Sequence, residues 1–467
     1  MSNANALSAK ARISALTDEN SFVEIGALVT KRSTDFNMDE KEVPCDGVVT
    51  GYALIHDKPV YIYSQDADKM NGSIGEMHAK KIVNVIELAV KTGTPVVGLI
   101  DCSGIRVQES VDALHAFGLI YKALTEADGE VPVISAVLGN GGGGVKIMTE
   151  LSDFTFVEKN NGKLFVNTPN SIDNNYKEKC DTSSACFAGE TGAVDFVCDG
   201  EAELFEKVRE LVSILPLNCN DIGEIEDYMD DLNRDVPDFA AKVADPALAL
   251  EEIGDNNFFM EVKADYAKEM VTGFICLDGL TIGAIGNRTV RYDEEGNEAE
   301  KFEPRLTTKG ARKAAQFVNF CDSFNIPILT LTNVCGYKAT MCEEKNISRA
   351  VAELTYALSA ATVAKVNLIT GEAYGTAAIT MNSKAIGADM VFALPTAKFG
   401  VMDSDKAVKI MYPDADQDEI KAQKDKYKKA TDITAAAARG YVDSIIEPAS
   451  VRKQVLFAFE MLYTKSV

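Results

Sequence analysis

Two short stretches of this chain combine residue types that let a backbone do chemistry. Gly139-Asn-Gly-Gly-Gly-Gly144 follows the apolar run Val131 to Leu138, and Gly371-Glu-Ala-Tyr-Gly-Thr376 follows Val363 to Thr370. Each leads into a pattern that reads as a helix. Where a strand breaks into small residues at a helix start, backbone N–H groups are unobstructed at the positive end of the helix dipole. Such a place stabilises an enolate or carboxylate oxygen as its charge develops. The amides expected to do so are those of Gly142 and Gly143 in the first stretch and of Thr376 and Ala377 in the second, with Gly375 permitting the tight turn. The turns at Ser103-Gly104 and Cys335-Gly336 end neighbouring strands and are expected to supply the other wall of each cavity.

Close strand–helix packing alone also accounts for a glycine-rich turn. A nucleotide loop of the GxxxxGK[ST] type is excluded, because no Lys-Ser or Lys-Thr pair follows these glycines, and no GxGxxG stands after the first strand. The side chains offer no evident nucleophile–base pair. His78 reads as a helix cap or surface residue, and His115 lies on a helix that either approaches the cavity or only packs. Tyr374 either lines a flat ring or packs. Arg106 either meets a phosphate or pairs with Glu109, and Lys146 reads as a helix residue near the mouth. Polarisation by backbone amides is the chemistry that remains.

The elements holding these turns occur twice. His78-Ala-Lys-Lys to Pro95-Val-Val reads as a helix running into a strand, and Gly310-Ala-Arg-Lys to Pro327-Ile-Leu repeats it at an offset of 232 residues. Asp101-Cys-Ser-Gly104 and Asn333-Val-Cys-Gly336 keep that offset, as do Gly139 with Gly371 and Gly143 with Gly375. A further helix and strand follow each turn, the strands being Asp153 to Phe156 and Asp389 to Phe392. Met77 to Lys91 carries apolar residues at helical spacing, and Pro95 to Ile100 is a fully apolar strand. Fully apolar strands between helices predict an α/β sheet covered on both faces. The acidic segment 217–238 divides the copies, with the boundary expected within 220–250 and the domains at 1–235 and 250–467.

Composition narrows the class. The 467 residues carry 47 Lys and Arg against 71 Asp and Glu, a formal charge of −24, which argues against a nucleic-acid partner. No apolar run approaches the ~20 residues that span a bilayer, and no secretory signal is visible, so a cytoplasmic protein is expected. The ten cysteines form no CxxC pair and the three histidines no ligand pattern, so no metal site is expected.

Taken together, Arg12 to Gly26, Gly72 to Lys81, Asp101 to Glu109, Phe258 to Lys268, Phe320 to Pro327 and Arg439 to Pro448 resemble the carboxyltransferase subunits of biotin-dependent acyl-CoA carboxylases and decarboxylases. The resemblance covers essentially the whole chain. It implies a tandem duplication of a crotonase-like domain, the first copy binding acyl-CoA and the second binding carboxybiotin. It also implies oxyanion holes at Gly142 and Gly143 for the thioester enolate and at Thr376 and Ala377 for the ureido oxygen of biotin, the freed biotin acting as base. Gly104, Arg106, Gly336, Tyr337, Tyr374 and Gly375 are the expected binding residues. The implied partners are a biotin carrier protein and a biotin carboxylase subunit, or membrane decarboxylase subunits, around a homo-hexamer made as a trimer of dimers. Two departures stand out. The family runs Gly-Gly where this chain has Gly375-Thr376, and the Pro-Gly-Phe loop is replaced by Cys335-Gly-Tyr337. They keep open a biotin-independent crotonase-type decarboxylase or hydratase, and a non-catalytic paralogue subunit.

Overall fold

The computed structural model describes residues 7–40, 42–173, 175, 180–221, 230–293 and 295–465. Residues 222–229, the middle of the segment read as a divider, lie outside the described residues. The chain forms two compact units, Met1–Gly223 and Glu224–Val467, each with its own eight-stranded mixed sheet.

In the first unit the strands are β1 (Val23–Ile25), β2 (Val48–Ile55), β3 (Lys58–Gln65), β4 (Val96–Cys102), β5 (Val133–Gly142), β6 (Phe154–Glu158), β7 (Lys163–Phe165) and β8 (Phe196–Cys198). Their order is β1-β2-β3-β4-β5-β6-β8, with β7 paired to the end of β5. The pairings from β1 to β3 are antiparallel and those from β3 onward are parallel. The second unit repeats this plan. Its strands β9 (Met260–Glu261), β10 (Met270–Leu277), β11 (Leu280–Asn287), β14 (Ile328–Val334), β15 (Lys365–Tyr374), β16 (Met390–Ala393) and β18 (Ser444–Ile445) lie in that order, with β17 (Lys398–Gly400) on β15. A separate hairpin joins β12 (Val290–Tyr292) to β13 (Glu298–Lys301). The two sheets have the same topology, as a tandem duplication of a crotonase-like domain requires.

The central strands are buried along almost their whole length, and helices supply the cover. In the first unit α1 (Glu76–Thr92) and α2 (Ser110–Ala127) pack together over the sheet, burying Ile82, Ile86, Ile120 and Leu124 in one cluster with Val96, Ile100 and Val137. Their counterparts are helices 308–323 and 347–360, named α4 and α5 below. Both pairs show the apolar stripe of a helix facing a sheet.

The basic pair that marks each first helix has a structural meaning. Lys81 Nζ donates to the carbonyls of Cys45 (3.0 Å) and Val48, and Lys313 Nζ donates to those of Lys263 (2.8 Å) and Tyr266 (2.9 Å). One lysine of each pair is therefore a buried strut tying the helix to the backbone ahead of the first long strand. His78 is also buried, against the surface role expected of it. It meets Asp46 O through Nδ1 (2.9 Å) and Gln65 Nε2 through Nε2 (3.2 Å), and burial holds it down to about 3.

Burial lowers Lys313 from its ordinary value to about 7. A neutral amine has two N–H bonds for two carbonyls, which matches its surroundings. Above about pH 7 the folded chain has released a proton that the unfolded chain keeps until about pH 10.5, so this group's contribution to stability rises with pH across that window. Relative to Lys313→Met, the native protein is expected to gain stability between about pH 7 and about pH 9. Urea midpoints of both proteins across that range check this, and parallel profiles would refute it.

Candidate active site

The glycine run does not end its strand where the sequence suggests. β5 continues through Gly142, its last residues pairing with β7 from Asn140 opposite Lys163 to Gly142 opposite Phe165. To get there it bulges. Ile100 faces Val137 but Cys102 faces Gly141, so β5 spends two extra residues against β4. The second unit bulges identically, with Thr332 facing Ile369 and Val334 facing Ala373.

One side chain holds each bulge. Asp101 Oδ1 accepts the Asn140 N–H (3.2 Å), and Asn333 Oδ1 accepts the Glu372 N–H (3.1 Å). The preceding glycine makes room, because a Cβ on Gly139 would lie 2.1 Å from Asp101 Oδ1 and one on Gly371 2.5 Å from Asn333 Oδ1. The charge on Asp101 is met by Arg12 Nη1 at 3.0 Å.

After the bulge the chain reverses at Gly143 and Gly375, with φ of +63° and +65°, a conformation strained for any residue with a side chain. Two short helices follow, α3 (Gly144–Glu150) and α6 (Gly375–Thr380), α6 following α4 (Thr308–Ser323) and α5 (Ile347–Ala360) in chain order. The Gly143 N–H, expected to face the cavity, donates instead to Phe165 O (2.8 Å), which removes it from the candidates. The amides that open α3, and so have no acceptor within their helix, belong to Gly144 and Val145. At the offset of 232 these are the counterparts of Thr376 and Ala377, which open α6.

The opposing loops are built alike. Gly104 O accepts the Ile74 N–H (2.9 Å) and the Arg106 N–H returns to Ile74 O (2.9 Å), while Gly336, Lys338 and Leu306 make the same pair of bonds at 2.9 Å each. Gly104 and Gly142 come together, since a Cβ on Gly104 would stand 3.3 Å from Gly142 O. Arg106 does not reach the cleft. It is fully buried, donating to Asp46 (2.6 Å), Glu109 (2.8 Å) and Ser73 O (2.8 Å), so of its two expected roles the pairing with Glu109 is the one found. Glu109 in turn accepts the Glu76 N–H (2.6 Å) at the start of α1, as Glu343 does for Thr308 at the start of α4 (2.6 Å). His115 is exposed on α2.

The second turn is the more polar. Tyr337 Oη and Thr376 Oγ1 lie 2.8 Å apart, a bridge that their counterparts Ile105 and Gly144 cannot form. Arg305 holds the Tyr337 carbonyl (3.3 Å). Tyr374 is buried, which pushes its phenol up to about 12. Cys335 donates to Glu372 (2.9 Å), and burial, with that carboxylate, pushes the thiol up to about 12.

Residues 3–467 match the protein family described as the carboxyl transferase domain. The chain is 35% identical to the propionyl-CoA carboxylase beta chain of Roseobacter denitrificans, over 99% of this chain and 91% of that one. It is 36% identical to the methylmalonyl-CoA decarboxylase subunit alpha of Propionigenium modestum, over 98% and 90%. Among solved structures it resembles transcarboxylase 12S, described as a hexamer assembly with hydrolysed methylmalonyl-coenzyme A bound, with a TM-score of 0.90 and 33% identity over 98% of this chain and 90% of that one.

Two substitutions test the architecture. Arg106→Met leaves Asp46 and Glu109 buried without their cation and is expected to cost about 3–5 kcal/mol in chemical denaturation. A raised KM for an acyl-CoA with unchanged stability would instead return Arg106 to the ligand. Gly371→Ala forces Asn333 out of the bulge and is expected to cost about 1–3 kcal/mol, read by the same measurement; an unchanged midpoint would show that the bulge tolerates a side chain.

Proposed function

The chain belongs to the carboxyl transferase domain family and moves a carboxyl group to or from an acyl-CoA, and we propose that biotin is the second carrier, with one turn serving each substrate. The observation that carries the proposal is the repetition of one device, a bulge pinned by Asp101 or Asn333 that delivers a pair of helix-opening amides. A transfer between two carbonyl-type groups calls for two such places.

The first turn takes the acyl-CoA. Gly144 and Val145 hold the thioester oxygen, and their fixed N–H dipoles favour the enolate over the neutral thioester. The glycine wall at Gly104 and Gly142 leaves the approach open. The second turn fits a ureido ring, with Thr376 and Ala377 as donors for its oxygen, Tyr337 at the edge and Tyr374 behind. Bound biotin supplies the ring nitrogen that carries the carboxyl group. Gly336 and Gly375 keep the backbone close to that ring.

The relatives are subunits of carboxylase and decarboxylase complexes. The assembly proposed for this chain is a cytoplasmic homo-hexamer. It works with a biotin carrier protein and either a biotin carboxylase subunit or membrane decarboxylase subunits. Among the described residues no helix is long and apolar enough to cross a membrane.

The test supplies malonyl-CoA, methylmalonyl-CoA and glutaconyl-CoA, each with and without free biotin, and follows the CoA products by mass spectrometry. Biotin-dependent loss of CO2 from one of them is expected, and it names the acyl group. Loss without biotin would establish the biotin-independent decarboxylase instead. Retained CoA-ester binding with no turnover, unrelieved by Thr376→Gly, would favour a non-catalytic subunit.

A further inference from the structure

The bridge between Tyr337 Oη and Thr376 Oγ1 (2.8 Å) leaves a proton over. A bond between two hydroxyls consumes one O–H, so the other O–H stays available. Among the described residues neither hydroxyl makes a second hydrogen bond. Thr376 is exposed and Tyr337 part-exposed, so an incoming molecule can reach the pair.

Both ends of the bridge are held by other bonds. On the Tyr337 side, Arg305 grips the Tyr337 carbonyl (3.3 Å), and Leu306 bonds to Gly336 and Lys338 at 2.9 Å each. On the other side, Thr376 O accepts from Thr380 Oγ1 (3.1 Å). The hydroxyl pair therefore spans two walls that are already fixed, and what it adds there is polarity.

Acidity sets the direction of the bond. A phenol is more acidic than an aliphatic alcohol, so Tyr337 donates and Thr376 Oγ1 accepts. The proton left over is the Thr376 O–H, which becomes a stronger donor because its oxygen accepts a bond. It belongs to the same residue as one of the two amides of the second turn. The first copy has nothing equivalent. Ile105 and Gly144 carry no hydroxyl, and the nearby Tyr121 O–H is spent on Gly144 O (2.9 Å).

We propose that the Thr376 hydroxyl is a third hydrogen-bond donor to the ureido oxygen of biotin, with Tyr337 as the positioning residue that aims and polarises it. The inference rests on the reading of the second turn as the biotin site. Two ring nitrogens push electron density onto a ureido oxygen, which makes it a stronger acceptor than a thioester oxygen. A site that commits three donors to one oxygen discriminates against a ligand with no acceptor there, because its donors are then left unpaired.

Calorimetric titration of the full chain with biotin and with 2-iminobiotin tests this. In the second ligand a guanidinium replaces the ureido carbonyl and accepts no hydrogen bond. Thr376→Val, which keeps the branched shape, is expected to weaken biotin by about 3- to 10-fold, in line with one hydrogen bond, and to leave 2-iminobiotin unchanged. Thr376→Ser is expected to restore the native affinity, and Tyr337→Phe to weaken biotin by a smaller factor than Thr376→Val. Native biotin affinity in Thr376→Val would overturn the proposal. So would an equal loss for both ligands, or a Thr376→Ser protein as weak as Thr376→Val. A native protein that binds an acyl-CoA but neither ring would remove the reading of the second turn, and this inference with it.

Discussion

Everything at the two turns hangs on a side-chain oxygen standing in for a backbone carbonyl. A strand that bulges by two residues loses ladder partners, and an amide that leaves the ladder needs another acceptor. Asp101 and Asn333 supply the missing acceptor. With that bond made, β5 and β15 run past their neighbours, pick up β7 and β17, and reverse at a glycine with two amides free of helical acceptors. Without it, the strand would pair in register, and the helix start would lie elsewhere.

A second layer of buried polar contacts holds the opposite wall. Arg106 joins Asp46, Glu109 and the backbone of Ser73 into one closed set, and Glu109 passes on to the start of α1. A buried ion pair of this kind adds little stability over a well-packed apolar core, but it fixes geometry, because each member has few alternatives. The second copy reaches the same loop path without that set, through the bonds among Gly336, Lys338 and Leu306 and the grip of Arg305 on the Tyr337 carbonyl, and it shares the carboxylate at the helix start, Glu343. The turns are thus equivalent in backbone and divergent in side chains.

Much of this was legible in the sequence. The α/β class, the duplication and its offset follow from apolar periodicity and from glycines and prolines at fixed spacing, all set by local rules, while the crotonase-like fold is implied by the family resemblance. The end of β5 was not legible, because glycine carries no alternating pattern, and its late partner Phe165 lies in a separate segment. That is why the sequence alone points to Gly143 as a free donor. The surroundings of Arg106, His78, Lys81 and Lys313 were hidden for a related reason: a titratable residue shows its type in the sequence but not the carbonyls that fold around it. The distant partner of Arg106 is Asp46, sixty residues earlier in the chain. The Tyr337–Thr376 bridge spans two loops whose approach only the sheet determines.

The exchange of Asp101 for Asn333 has a consequence for how the units breathe. An aspartate needs a counter-ion, and Arg12 provides it from the helix Ala9–Leu16 while also gripping Glu201 (2.6 Å). A neutral asparagine needs none. Fraying of the chain's beginning therefore strips the first bulge of its cation and couples opening of that segment to exchange of the Asn140 amide with solvent. The Glu372 amide, pinned by an uncharged group, is insulated from the same event.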